Sequence, residues 1–165
     1  MKKLLAIVLA ACLALTLVAC GGAPSSTPAS GSASGSTAAA VSGDANVAVF
    51  YYTYSDTYIS SVRSALDAKL DEMGVTYQDF DGAGQQTTQT EQVKTAITNG
   101  ATVLLVNLVE TASDDAANEI VSAAKDADIP VIFFNREVSN DVVNSYEKCA
   151  FVGTDAAEAG HLQGR

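Results

Sequence analysis

The sequence predicts an α/β fold built on a doubly wound parallel sheet, and three observations carry that expectation. From residue 47 onward, short apolar runs alternate with segments whose apolar residues recur at helical spacing. The runs at 102–108 and 131–134 are apolar on both faces, as strands buried between two helical layers must be. Each run passes into its helix through a short polar turn, the pattern of successive right-handed βαβ crossovers. Such sheets bind ligands at the carboxyl ends of their strands, so those turns are where function is sought.

The first strand is Val47-Ala48-Val49-Phe50-Tyr51-Tyr52. After Thr53-Tyr54-Ser55-Asp56-Thr57 the chain becomes helix-periodic, with Ile59, Val62, Leu66 and Met73 on one stripe and Gly74 to end it. Val75 to Phe80 alternates as a second strand. Asp81-Gly82-Ala83-Gly84 turns, and the polar run from Gln85 leads into a second helix through Val93, Ala96 and Ile97, stopped by Asn99-Gly100. Thr102 to Leu108 is the third strand. A third helix over about 112–127 buries Ala116, Ile120, Val121 and Ala124. Pro130 opens a fourth strand, Val131 to Phe134, which ends in Asn135-Arg136-Glu137. A polar connection leads to a fifth strand, Cys149 to Val152. Beyond it, Asp155 and Glu158 have the spacing of a helix N-cap and its N3 partner.

The amino-terminal part has another character. Lys2 and Lys3 precede an apolar stretch from Leu4 to Val18, short of the roughly 20 residues of a membrane span. Leu17-Val18-Ala19-Cys20 resembles the lipobox of bacterial lipoprotein signals, in which cleavage before the cysteine precedes its lipidation. A plain secretory signal or a short anchor is the simpler alternative. Residues 21–45 are mostly Gly, Ser, Ala, Thr and Pro, a composition that cannot offset its ordering entropy by burial and so predicts a flexible tether.

The formal charge of −10 becomes about −12 once Lys2 and Lys3 leave with the signal, which argues against nucleic acid or anionic lipid as partner. Cys12 departs with the signal and Cys20 takes the lipid, leaving Cys149 without a disulfide partner; beside Ala150-Phe151-Val152 it reads as a buried, inert thiol. No GxxxxGK[ST] occurs, and no GxGxxG follows the first strand. His161 is the sole histidine, read as solvated, and no nucleophile stands beside a base. Catalysis is therefore not expected.

The strand ends carry hydroxyl-binding chemistry instead: Asp56 and Tyr58 after the first, Asn107 after the third, Asn135 and Arg136 after the fourth. Carboxylate, carboxamide and guanidinium offer planar, directional partners for sugar hydroxyls, and an aromatic ring covers the C–H face of a pyranose. Each has a plainer reading. Asp56 would serve as a helix cap, Tyr58 as packing, Asn107 as a turn residue, and Arg136 as a surface ion pair with Glu137.

The segments Tyr52 to Tyr58, Val106-Asn107-Leu108-Val109, Pro130 to Glu137 and Phe151 to Asp155 stand in the order found in bacterial galactose/glucose-binding proteins. The chain resembles that family over residues 47–165. The resemblance implies the type I periplasmic-binding-protein fold, no enzymatic activity, and capture of galactose or glucose for an ABC transporter permease. It gives Asp56 and Asn135 hydrogen bonds to sugar hydroxyls, Tyr58 a stacking role where the family commonly has Phe, and Arg136 a basic position near the sugar. Asn107 is expected to be structural. A chemoreceptor is a further partner the family allows.

On this reading residues 1–20 are the signal, 21–45 the linker, 46–153 the first sugar-binding lobe, and 154–165 the start of a hinge and of a second lobe. The second lobe, with the calcium site of some members, is expected to lie outside this sequence, which then represents a fragment. The protein is expected to be exported, and either held by lipid on the outer face of the cell membrane or periplasmic. Rival readings are the same fold with another sugar or an autoinducer, the effector domain of a LacI-type repressor, and a flavodoxin-like exported enzyme. The export signal and the missing basic helix-turn-helix argue against the repressor, and the missing cofactor loop against the enzyme.

Overall fold

In a computed structural model, residues 44–154 are described. The expectations for the signal, for Cys20, for most of the linker, for the helix from Asp155 and for His161 lie outside the described residues. Five strands, β1 (Asn46–Tyr51), β2 (Thr76–Asp81), β3 (Val103–Val106), β4 (Val131–Phe134) and β5 (Cys149–Val152), form one sheet in the order β2-β1-β3-β4-β5. Every pairing is parallel, with Val49 opposite both Asp79 and Leu105, and Phe133 opposite both Val106 and Phe151.

Between the strands run α1 (Thr57–Met73), α2 (Gln86–Thr98), α3 (Asp115–Asp126) and α4 (Asn140–Asn144). The first crossover steps from β1 outward to β2, and the later ones run the other way, so right-handedness puts α1 on one face and α2–α4 on the other. The core divides accordingly. Ala48, Phe50, Leu104, Val106, Val131 and Phe133 pack with residues of α2, α3 and α4, whereas Val47, Val49 and Tyr51 pack with Ile59 and Leu70 of α1. The winding changes direction between β1 and β3, and the crevice at their carboxyl ends is the place such a sheet offers a ligand.

Local chemistry sets the boundaries. Gly74 ends α1 in the left-handed conformation, φ 67°, and its N–H reaches the carbonyls of Asp71 and Leu70, as expected for a glycine stop. Gly82 is required for another reason. Its N–H donates to the Tyr51 carbonyl at 2.8 Å, and a Cβ there would come within 3.0 Å of that oxygen.

Four expectations are corrected. β3 stops at Val106: the Asn107 N–H still makes the ladder bond to the Phe50 carbonyl, but the Tyr52 N–H then takes the Asn107 side-chain Oδ1 at 3.1 Å rather than its carbonyl. α3 begins at Asp115 and buries Ala117 fully, with Ala116 only half-buried. The polar connection after β4 holds α4, started by Ser139, whose hydroxyl accepts the Val142 N–H. Met73 is 47% exposed rather than core: as the last residue of α1, it sits on the rim of an apolar groove with Val47, Leu70 and Val75. Cys149 is half-buried, and burial raises its thiol pKa, which keeps it protonated.

Two features mark the α1 face. Over β3, β4 and β5 it is lightly covered: Leu105, Ile132 and Phe134 are half-buried and Val152 is 63% exposed among the described residues. Under α1 lies a polar cluster. Tyr51 Oη, Asp67 Oδ1 and Asp79 Oδ1 are all buried without a hydrogen-bond partner. Burial, and next the Asp67 carboxylate, push the Asp79 pKa up to about 6, with Arg63 opposing. Burial, followed by Asp79 and Asp67, also drives the Tyr51 phenol far up.

Candidate functional site

Asp56, Tyr58, Asn135 and Arg136, picked from two separate stretches of sequence, line a single cavity of about 220 Å³ together with Tyr52 and Ile59. Tyr58 and Asn135 also line an adjoining cavity of about 270 Å³ with Phe134, Val152 and Thr154. The site thus sits at the carboxyl ends of β1 and β4, with the loop after β3 behind it.

Asp56 is the N-cap of α1. Its Oδ1 accepts the Ile59 N–H at 2.8 Å, and its Oδ2 accepts the Tyr52 hydroxyl at 2.7 Å. The Ile59 bond first, and the Tyr52 bond second, hold the carboxyl below the usual range, so the acceptor stays ionised at neutral pH. The same contact raises the Tyr52 phenol. A carboxylate accepts at about four lone-pair positions, which leaves capacity for a ligand after both bonds are made.

The other wall comes from β4. Asn135 has φ 65°, a left-handed backbone that asparagine tolerates better than most residues, and its N–H donates to the Val152 carbonyl at 3.0 Å. Arg136 is clamped to the loop after β3 through Nη1, which donates to the Leu108 carbonyl at 2.9 Å and to the Val109 carbonyl. Its guanidinium carbon lies 4.9 Å from the centre of the Tyr52 ring, a cation–π contact. Among the described residues no ion pair joins Arg136 to Glu137. Tyr58, in the first turn of α1, is 63% exposed and stands free at the rim.

Asn107 is fully buried and lines neither cavity. It joins the strand ends. Its Oδ1 accepts the Tyr52 N–H at 3.1 Å, and its Nδ2 donates to the Phe134 carbonyl and to Asn135 Oδ1. Gln89 of α2, also fully buried, gives Nε2 to the Asn107 carbonyl at 3.0 Å and takes the Val109 N–H at 3.1 Å. Sequence reasoning passed over Tyr52 and Gln89. The one available signal for Tyr52 was a phenol four residues before a carboxylate at a strand end.

A small parallel α/β lobe with directional polar groups and a free aromatic ring at its switch point is the architecture of a solute-binding lobe. Residues 47–165 match the family model described as a periplasmic binding protein domain, and the chain belongs to that family. The chain is 35% identical over 127 residues to the D-galactose/methyl-galactoside binding periplasmic protein MglB of Haemophilus influenzae, covering 76% of this chain and 38% of that protein. It is 32% identical over 122 residues to a putative rhizopine-binding protein of Rhizobium meliloti, covering 73% of this chain and 37% of that one. Among solved structures, a galactofuranose binding protein superposes with a TM-score of 0.63 at 20% identity, over 73% of this chain and 39% of its own. The myo-inositol binding protein of Caulobacter gives 0.62 at 19%, over 72% and 38%. A solute binding protein of Agrobacterium vitis with bound D-fucose gives 0.58 at 26%, over 71% and 40%. The chain therefore spans well under half the length of the relatives it matches.

Proposed function

We propose that this chain forms one wall of a site that captures a monosaccharide, D-galactose or D-glucose, outside the cytoplasm for an ABC transporter permease. The observation that carries the reading is the convergence of Asp56, Asn135, Arg136 and Tyr58 on one cavity at the switch point of the sheet. An ionised planar acceptor, planar donors and an unpacked aromatic ring match the alternating hydroxyls and C–H face of a pyranose. The relative named for D-galactose and methyl-galactoside supports the sugar chosen. Neighbours that hold myo-inositol or D-fucose support the broader class, a polyhydroxylated ring.

The test is an NMR titration of the chain with D-galactose, D-glucose, myo-inositol and L-arabinose. Signals of Asp56, Tyr58, Asn135 and Arg136 should move with galactose or glucose at lower concentration than with the other two. A stronger response to myo-inositol or L-arabinose would reassign the ligand, and no response to any would remove the sugar reading.

A further inference from the structure

We propose that Asn107 is the positioning residue of this site, fixing which of the exposed groups donate and which accept. The carboxamide is spent entirely on its neighbours. Oδ1 takes the Tyr52 N–H at 3.1 Å, while Nδ2 gives to the Phe134 carbonyl at 3.2 Å and to Asn135 Oδ1 at 3.1 Å. One N–H on one side and two oxygens on the other permit a single orientation of the amide. Reversal would set an NH2 against the Tyr52 N–H and an oxygen against two oxygens, in a fully buried place where neither is relieved by water.

That orientation is transmitted outward along two arms. Because the Asn135 oxygen faces the Asn107 NH2, Asn135 turns its own NH2 to the cavity and enters the site as a donor. On the other arm, Asn107 holds the Tyr52 backbone, and the Tyr52 hydroxyl commits its proton to Asp56 Oδ2 at 2.7 Å. Asp56 thereby stays an acceptor. A single buried amide sets a donor beside an acceptor, the arrangement that two neighbouring hydroxyls satisfy when one accepts and the other donates. Gln89 braces Asn107 in turn, through the bond from Nε2 to its carbonyl. The ligand part of this inference rests on the sugar reading above, but the amide polarity does not.

NMR on the isotopically labelled full chain separates the two. In the wild type the Asn107 side-chain NH2 protons should exchange slowly with solvent and those of Asn135 quickly, and the latter should shift on adding D-galactose. The reverse order of exchange would overturn the proposal whether or not sugar binds. The expected order with no response to sugar would leave the polarity standing and remove the sugar reading. Asn107→Asp keeps the acceptor for Tyr52 and removes the donor. The Asn135 amide should then turn to give its NH2 to the new carboxylate, its protons becoming protected. Galactose affinity should fall about ten- to a hundredfold, and Asp56 should still titrate low. Asn107→Ser, which buries no charge, should loosen both arms, raising the Asp56 titration midpoint as well. Variants that melt earlier but keep the wild-type Asn135 exchange, Asp56 titration and galactose affinity would make Asn107 a purely structural residue.

Discussion

The Tyr52 hydroxyl donates to Asp56 Oδ2 at 2.7 Å while the Ile59 N–H holds Oδ1 at 2.8 Å, so one carboxylate is both the cap of α1 and an oriented acceptor at the cavity. Capping and ligand contact read as rival roles in the sequence. In the fold they are compatible, since each oxygen retains a lone pair after its internal bond is made. The cap and the phenol together orient the carboxylate, and both, the cap first, favour its ionised form.

Tyr52→Phe should therefore raise the Asp56 pKa part of the way toward its ordinary value, leaving the Ile59 bond to hold the remainder. Carboxyl-carbon NMR titration reads this directly. An unshifted midpoint would mean that the phenol does not hold the carboxylate in solution.

Asp56→Ala should act on binding and stability together. Loss of the cap lowers the melting temperature by about 5 °C, and loss of the acceptor weakens galactose binding about tenfold or more. Asp56→Asn, which can still cap, should recover most of the melting temperature and little of the affinity. If galactose binds the alanine variant as it binds the wild type, Asp56 is a cap and nothing else.

The cluster under α1 gives the fold a pH dependence. Asp79 is paired by register with Val49 and lies diagonally from Tyr51, with Asp67 and Arg63 above it on α1. Burial and the facing Asp67 carboxylate disfavour the ionised form of Asp79, so the folded chain favours the protonated carboxyl there. The folded pKa of about 6 lies above the ordinary carboxyl value, so the folded chain holds a proton that the unfolded chain releases. Its stabilisation is complete below about pH 4 and disappears as pH rises through 6. Wild-type melting temperature should fall by about 5 °C between pH 5 and pH 7.5 relative to Asp79→Asn, whose amide donates at every pH. Parallel pH profiles for the two proteins would refute the protonated Asp79.

Cys20, in Leu17-Val18-Ala19-Cys20, is proposed as the lipidated amino terminus of the mature protein. One acyl chain anchors only marginally, whereas two or more hold firmly. Mass spectrometry of membrane-extracted protein should find the adduct on this cysteine. A mature terminus downstream of it, without lipid, would discard the assignment.

The strands were legible because burial on both faces removes polar alternation, which is why Leu104-Leu105-Val106 and Val131 to Phe134 stand out. Asn135 and Arg136 were legible as polar residues immediately after such a run, and Asp56 as the carboxylate in the turn after the first strand. Tyr52 was not, because its ring continues an apolar strand, and only the turn after β1 directs its hydroxyl to Asp56. Gln89 reads as an exposed helix position because its partners, Asn107 and Val109, are loop backbone 18 and 20 residues away. α4 has five residues, too few for a periodic stripe, and Ser139 was its one signal. Where a partner is distant in sequence and is backbone rather than side chain, the pattern along the chain carries no trace of it.

The left-handed backbone of Asn135 limits how this pocket can be retuned over evolutionary time. At φ 65° most side chains are strained, and asparagine, aspartate and glycine are the residues that accept it readily. Any lineage that adopts a new ligand therefore inherits an almost fixed residue in the middle of the wall. Tyr58, exposed in the first turn of a helix and under no such backbone demand, is the position where substitution is cheap. Divergence in specificity should accumulate there, around a constant Asn135.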